Sequence, residues 1–189
     1  MRVISGTLKG RTFHPPDNSP ARPTTDFAKT GLFNILVNNI DFDEVSVLDL
    51  FAGTGNISYE FASRGCKRIV SVENNHKCTE FISKMKKEWN LPIELLRSDV
   101  FRFLNSCNEK FDLIFADPPY DLENTNELPE QILNVRKLLK PGGWLILETS
   151  SRQKFAGHPH LFREKNYGEI HFHIFTAEPV TVNSQKSAE

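Results

Sequence analysis

Residues 45–64 read VSVLDLFAGTGNISYEFASR, and the order of features within them decides the architecture. Residues 45–50 form a short apolar run of the kind that makes a buried strand. Asp49-Leu50-Phe51-Ala52-Gly53-Thr54-Gly55 ends that strand and leads into residues 56–64, which read as a helix. Glycines at 53 and 55 let the backbone turn tightly and pass close to a ligand. Strand, glycine loop and helix in succession open a unit with a parallel crossover.

Downstream the alternation continues. Strands are expected at 68–72, 93–96, 111–116 and 144–148, and helices at 76–89, 100–106 and 128–139. The last of these helices is expected to stop at Pro141-Gly142-Gly143. Strands separated by helices imply parallel pairing, right-handed crossovers and helices on both faces. After Ser150 a hairpin is expected, 162–167 and 169–175, turning at Gly168. Upstream, residues 2–14 alternate around Ser5-Gly6-Thr7 and Gly10 and read as a short hairpin with a basic face. Thr25 or Asp26 can cap a helix whose apolar stripe is Leu32, Phe33, Leu36 and Val37. The expected fold class is α/β, a doubly wound Rossmann-like domain with a mostly parallel sheet and a C-terminal antiparallel hairpin. One domain spans 1–178, with 1–43 as an appendage and 44–178 as the core; the polar residues 179–189 are expected to be a disordered tail.

Composition narrows the function. The 189 residues are 39% hydrophobic and 25% charged, with a formal net charge of −1, so any nucleic-acid contact must come from a local basic patch. Between Met1 and Lys29 stand five basic residues (Arg2, Lys9, Arg11, Arg22, Lys29) and two acidic ones, a modest surplus that a solvated face also explains. Cys66, Cys78 and Cys107 form no C-x-x-C pair and suggest reduced thiols. With no apolar leader run and no long apolar window, a cytoplasmic protein is expected.

A second stretch carries chemistry: residues 111–120, FDLIFADPPY. The apolar strand stops at Asp117-Pro118-Pro119-Tyr120, because two prolines fix φ and remove two backbone donors. The Asp117 carboxylate and the carbonyls of Asp117 and Pro118 can then gather as acceptors beside the flat face of Tyr120. A planar group bearing an –NH2, such as a nucleobase, fits acceptors and an aromatic ring together. A plain proline-rich turn with Asp117 as a turn residue is the alternative.

Three acids end three successive strands: Asp49, Glu73 (followed by Asn74) and Asp99 (followed by Val100). They converge where open α/β sheets bind ligands. Asp49, four residues ahead of Gly53, would repel a pyrophosphate and suits a cationic amine and sulfonium. Ser58 also replaces the third glycine of a dinucleotide fingerprint, and no Gly-Lys-Ser/Thr follows for a P-loop. Glu73 lies about where a ribose diol would, and Asp99 and Val100 where an adenine amine would. No metal is expected; His171 and His173 share a strand face but lack a third ligand.

This set resembles the class I S-adenosylmethionine-dependent methyltransferases that act on amines. The match extends to Arg2-Val3-Ile4-Ser5-Gly6, Lys9-Gly10-Arg11, Arg22-Pro23-Thr24-Thr25-Asp26 and Leu32-Phe33-Asn34, in order ahead of the glycine loop and Asp117-Pro118-Pro119-Tyr120. Over residues 1–176 the chain is similar to the RsmD family, which methylates guanine N2 in 16S rRNA. The resemblance implies a seven-stranded sheet, S-adenosylmethionine at Asp49, Phe51, Ala52, Gly53, Thr54, Gly55, Glu73, Asn74, Asp99, Val100 and Asp117, and the target amine at Asp117, Pro118, Pro119 and Tyr120. It implies rRNA within the small ribosomal subunit or its precursor as partner, with Arg2, Lys9, Arg11, Arg22 and Lys29 on RNA phosphates; a monomer is expected. The chain departs from the family in carrying Lys29-Thr30 where an Arg-Glu pair is usual. Methylation of adenine N6 or of a protein glutamine, a non-catalytic assembly factor, and more remotely an NAD-dependent enzyme are the competing readings.

Overall fold

The computed structural model describes residues 1–16, 25–150 and 153–180. Seven strands, β1 (Ser46–Leu50), β2 (Arg68–Glu73), β3 (Ile93–Arg97), β4 (Phe111–Ala116), β5 (Leu139–Thr149), β6 (Leu161–Tyr167) and β7 (Ile170–Thr176), form one sheet in the order β3-β2-β1-β4-β5-β7-β6. The first five are parallel; β7 runs antiparallel to both β5 and β6. Helices α1 (Asp26–Val37), α2 (Asn56–Ser63) and α3 (His76–Glu88) cover one face, and α4 (Val100–Ser106) and α5 (Leu128–Glu130) the other.

Period-two alternation sorts the central strands between the two cores. Val47, Ile69, Leu113, Phe115 and Ile146 pack with Leu32, Phe33, Phe61 and Ile82 on the first face. Leu48, Leu50, Val70, Ile114, Leu145 and Leu147 pack with Leu104, Leu128 and Ile132 on the second. Strands covered on both faces are apolar at nearly every position, which is why they read as continuous runs.

Two elements differ from expectation. The helix expected at 128–139 ends earlier: a 3-10 turn (Thr125–Glu127) and Leu128–Glu130 lead into a π turn, Gln131–Val135. The Arg136 N–H bonds to the Gln131 carbonyl at 2.9 Å, and Lys137 follows at φ +52°, so the helix is finished before the glycines. Leu139 is already strand, paired with Phe111, and Pro141-Gly142-Gly143 lies within β5 near a register shift, not at a helix end. The N-terminal hairpin reduces to a single bridge, Arg2 to Thr12, with residues 5–10 in turns. Cross-strand bonds hold it (Val3 N–H to Arg11 O at 2.9 Å, Phe13 N–H to Met1 O at 3.0 Å), and its backbone also bonds to α2: Ile4 and Ser5 N–H donate to the Glu60 carboxylate (2.9 and 3.1 Å), and Thr7 N–H to Ser63 O (2.7 Å). Gly6 sits at φ +82°, where an added Cβ would lie 1.8 Å from Ser63 O.

Lys29 is a correction. Expected on RNA phosphate, it is fully buried, its Nζ donating to Arg2 O (2.6 Å) and Asn56 Oδ1 (2.8 Å) and lying 3.4 Å from Glu60 Oε2. Residues 29, 32, 33 and 36 lie on one helix face, so the stripe that buries Leu32, Phe33 and Leu36 carries Lys29 in with them. Burial lowers the Lys29 pKa from its ordinary value, and the neighbouring Glu60 carboxylate opposes that shift. Arg22 lies outside the described residues, as do residues 181–189; Val180 N–H donates to Pro159 O at 2.8 Å.

Replacing Lys29 by Met removes one cation from a buried carboxylate and should lower unfolding stability by about 3 kcal/mol in a urea titration. The salt dependence of any RNA binding should not change, whereas a phosphate contact at Lys29 would flatten its slope by about one.

Candidate active site

In the order β3-β2-β1-β4-β5 the chain reverses direction across the sheet between β1 and β4, and the crevice beyond the carboxyl ends of those strands is where open α/β sheets receive ligands. A cavity of about 600 Å³ opens there. Its wall combines the ends of β1, β4 and β5 (Asp49, Asp117, Glu148), the loop residues Phe51 to Thr54, Glu73, and Pro118, Pro119, Tyr120 and Asp121. Met1 and Thr25 from the N-terminal region and Tyr167 to Ile170 from the β6–β7 turn complete it.

Local chemistry explains the loop. Phe51, Gly53 and Gly55 all have positive φ, +59°, +54° and +85°, a conformation that a phenylalanine rarely takes and that the surrounding bonds must hold. Ala52 N–H donates to Val72 O (3.0 Å), Gly53 N–H to Glu73 Oε2 (2.7 Å) and Gly55 N–H to Ala52 O (2.8 Å). Glu73 Oε1 takes the Asn75 N–H at 2.7 Å, so this carboxylate ties the glycine loop to the end of β2. Gly55 precedes α2 as its left-handed cap residue, and a Cβ there would lie 2.6 Å from the Tyr59 ring.

The carboxyls at the strand ends are electrostatically distinctive. Asp49 is buried, accepts from the Ser58 hydroxyl, and is pushed up to about 7 by burial against the lowering effect of that hydrogen bond. Ser58 also bonds Ser71 at 2.7 Å, which explains why a serine stands at the position of the third glycine. Asp117 follows the last residue of β4, its N–H reaching Leu50 O at 3.3 Å. Desolvation first, and then the nearby Glu148 and Asp49 carboxyls, raise its pKa well above the carboxylate range. Three acids crowded into an enclosed crevice favour a ligand that brings positive charge and N–H donors.

Of the residues expected to contact a cofactor, Asp49, Phe51, Ala52, Gly53, Thr54, Glu73 and Asp117 line the cavity together. Gly55 lies behind it; Asn74 is exposed and off the wall. Asp99 is exposed, and its Oδ1 caps α4 by accepting from Arg102 N–H at 2.9 Å. Val100, the first residue of α4, turns its side chain into the second core. Arg2, Lys9 and Arg11 are exposed; Arg2 pairs with Asp26 at 2.8 Å and the Arg11 guanidinium lies 5.6 Å from the Trp89 ring centre. Thr30, where the family usually has an acid, donates to Asp26 O at 2.7 Å. His173 is enclosed between Thr149 Oγ1 (2.9 Å) and Glu164 Oε1 (2.6 Å). Among the described residues no group of three His, Cys, Asp or Glu side chains could hold a metal, and no helix is long and apolar enough to cross a membrane. Sequence reading missed Glu148, although its signal, an acid closing an apolar strand, is the one that singled out Asp49 and Glu73.

The fold is that of the class I S-adenosylmethionine-dependent methyltransferases. Residues 1–176 match the family described as conserved hypothetical protein 95, and the chain belongs to it, the RsmD family. A similar relative is the Escherichia coli (strain K12) ribosomal RNA small subunit methyltransferase D, 28% identical over 190 residues, 94% of this chain and 90% of that one. A solved hypothetical protein from Thermus thermophilus superposes with a TM-score of 0.81 at 24% identity, covering 93% of this chain and 98% of its own. A T. thermophilus 16S rRNA N2 guanine methyltransferase (RsmC), solved with AdoMet and guanosine, shares the fold at a TM-score of 0.63 and 23% identity, over 81% of this chain and 43% of that one.

S-adenosylmethionine is cationic, and a carboxyl at Asp49 would attract it only when ionised. With Asp49 titrating at about 7, affinity for S-adenosylmethionine should rise with pH through neutrality and level off above about pH 8. Calorimetry at a series of pH values, with Asp49→Asn as the flat control, checks the sign.

Proposed function

We propose that this protein transfers a methyl group from S-adenosylmethionine to the exocyclic N2 amine of a guanine in 16S rRNA, modifying the small ribosomal subunit or its precursor. The observation that carries the reading is Asp117-Pro118-Pro119-Tyr120 on the wall of the cavity that the glycine loop also lines. Similarity to the E. coli ribosomal RNA small subunit methyltransferase D supports rRNA of the small subunit as substrate.

The site residues fit the cofactor by charge and position. Asp49 and the Phe51–Thr54 backbone would hold its cationic amino acid end, and Glu73 its ribose. When bound, it supplies an electrophilic methyl on a positively charged sulfur. The remaining chemistry belongs to the chain. Guanine N2 is a poor nucleophile because its lone pair is delocalised into the ring. The Asp117 carboxylate and the Pro118 carbonyl accept its two N–H groups and aim the nitrogen along the cavity, an alignment worth several kcal/mol. A cation beside Asp117 favours its ionised form, which is the form that accepts. Asp117 or water then takes the proton that N2 releases. Tyr120 stacks on the base, contributing about 1–3 kcal/mol.

Exposed Arg2, Lys9 and Arg11 supply the RNA-phosphate contacts. The protein acts as a cytoplasmic monomer on a particle, not on DNA or protein. Methylation of adenine or glutamine amines uses the same Asp-Pro-Pro-Tyr logic; the named relative favours rRNA.

The experiment is transfer of labelled methyl to small subunits lacking the modification, beside naked rRNA, DNA and protein. Label should appear in N2-methylguanine of the rRNA. Asp117→Ala should lower the rate at saturating cofactor at least about 100-fold. Label in N6-methyladenine or in protein would replace this reading.

A further inference from the structure

Glu148 is 2% exposed and belongs to β5, whose parallel register with β4 pairs Leu147 with Ala116. One residue further on, Glu148 therefore stands beside Asp117 at the neighbouring strand end, about 5 Å away at the backbone. Alternation puts both on the face of Phe115 and Ile146, the face from which the cavity opens, and both line it. On its other side Glu148 is paired with Phe172 of β7, so its place is set by strands on both flanks.

The chemistry of the base edge says what a second carboxylate can do there. Guanine presents three N–H groups in a row, two on N2 and one on N1. Asp117 and the Pro118 carbonyl account for two of them. Adenine and cytosine have an amine but carry an acceptor nitrogen at the neighbouring ring position, and a glutamine amide carries an oxygen. Against each of these a carboxylate is repulsive, because it has no proton to donate when ionised.

We propose that Glu148 is the specificity-determining residue of this site, its carboxylate accepting the N1–H of guanine while Asp117 and Pro118 hold the N2 amine. This rests on the guanine N2 reading above and deepens it by stating how the site rejects other planar amines. A carboxylate attracts the N1–H of guanine and repels an acceptor nitrogen at the same place, so discrimination should be large for one hydrogen bond.

The test measures binding of nucleosides to the protein saturated with S-adenosylhomocysteine, together with methyl transfer to small subunits lacking the modification. Guanosine should bind at least about tenfold tighter than 2-aminopurine riboside or 1-methylguanosine, which keep the N2 nitrogen but lack N1–H. Glu148→Gln, nearly isosteric, should weaken guanosine by about tenfold and shrink its advantage over 2-aminopurine riboside to about twofold or less. Its affinity for S-adenosylhomocysteine should be unchanged, and on subunits its KM for the particle should rise with product still at guanine N2. If wild-type protein methylates guanine N2 but binds 1-methylguanosine as well as guanosine, or if Glu148→Gln leaves the ratio unaltered, the assignment to Glu148 is overturned and the parent reading stands. If wild-type protein binds cofactor and places no methyl on rRNA guanine, the parent reading fails and this one with it.

Discussion

The Glu60 carboxylate holds the molecule's pieces in their working arrangement. It is buried in α2 and accepts from four directions: the Ile4 and Ser5 N–H groups, the Arg64 guanidinium at 3.0 Å, and the Lys29 ammonium 3.4 Å away. Removing a carboxylate from water costs several kcal/mol, and only such a complete set of donors offsets it. The consequence is architectural. The N-terminal segment, α1 and α2 meet at one charge, and through Lys29 that charge reaches Asn56, the residue that opens α2 beside the glycine loop. Met1 and Thr25 therefore become cavity wall because α2 carries an acid at position 60.

The cavity shows a second use of buried charge, with the opposite logic. Glu60 is satisfied by the protein; Asp49 is pushed toward the neutral form by burial, and Asp117 by burial and by the nearby Glu148 and Asp49 carboxyls. A row of acids on one sheet face is unfavourable until something positive and rich in N–H groups enters, so it stores a preference for a cationic cofactor and an amine substrate. The left-handed Phe51 likewise places function above stability, in a strained loop held by bonds to β2.

The antiparallel hairpin of β6 and β7 also serves the site. Its turn, Tyr167 to Glu169, borders the cavity, and Tyr167 packs so closely on α1 that a Cβ at Gly31 would lie 2.2 Å from the ring. Segments from opposite ends of the sequence thus frame one opening, with the parallel core as the floor between them.

Much of this was written locally. Apolar runs between glycine and proline breaks determined the parallel strands, since a strand covered on both faces has no polar positions to confuse the pattern. The glycines at 53 and 55 and the two prolines after Asp117 act through their own φ, so the loop and the strand end were legible without any partner. Lys29 was legible too: its spacing of three, four and seven from Leu32, Phe33 and Leu36 marks it as inward-facing, but its charge argued for solvent. Only the assembled structure decided against the charge, because the compensating Glu60 lies 31 positions away and no local pattern announces it. The same holds for Asp99, which caps its own helix, for the helix that ends in a π turn at Val135, and for Glu148. An acid at a strand end is a turn residue or a ligand depending on which strand stands next to it, and strand order is a property of the sheet, not of any stretch of sequence.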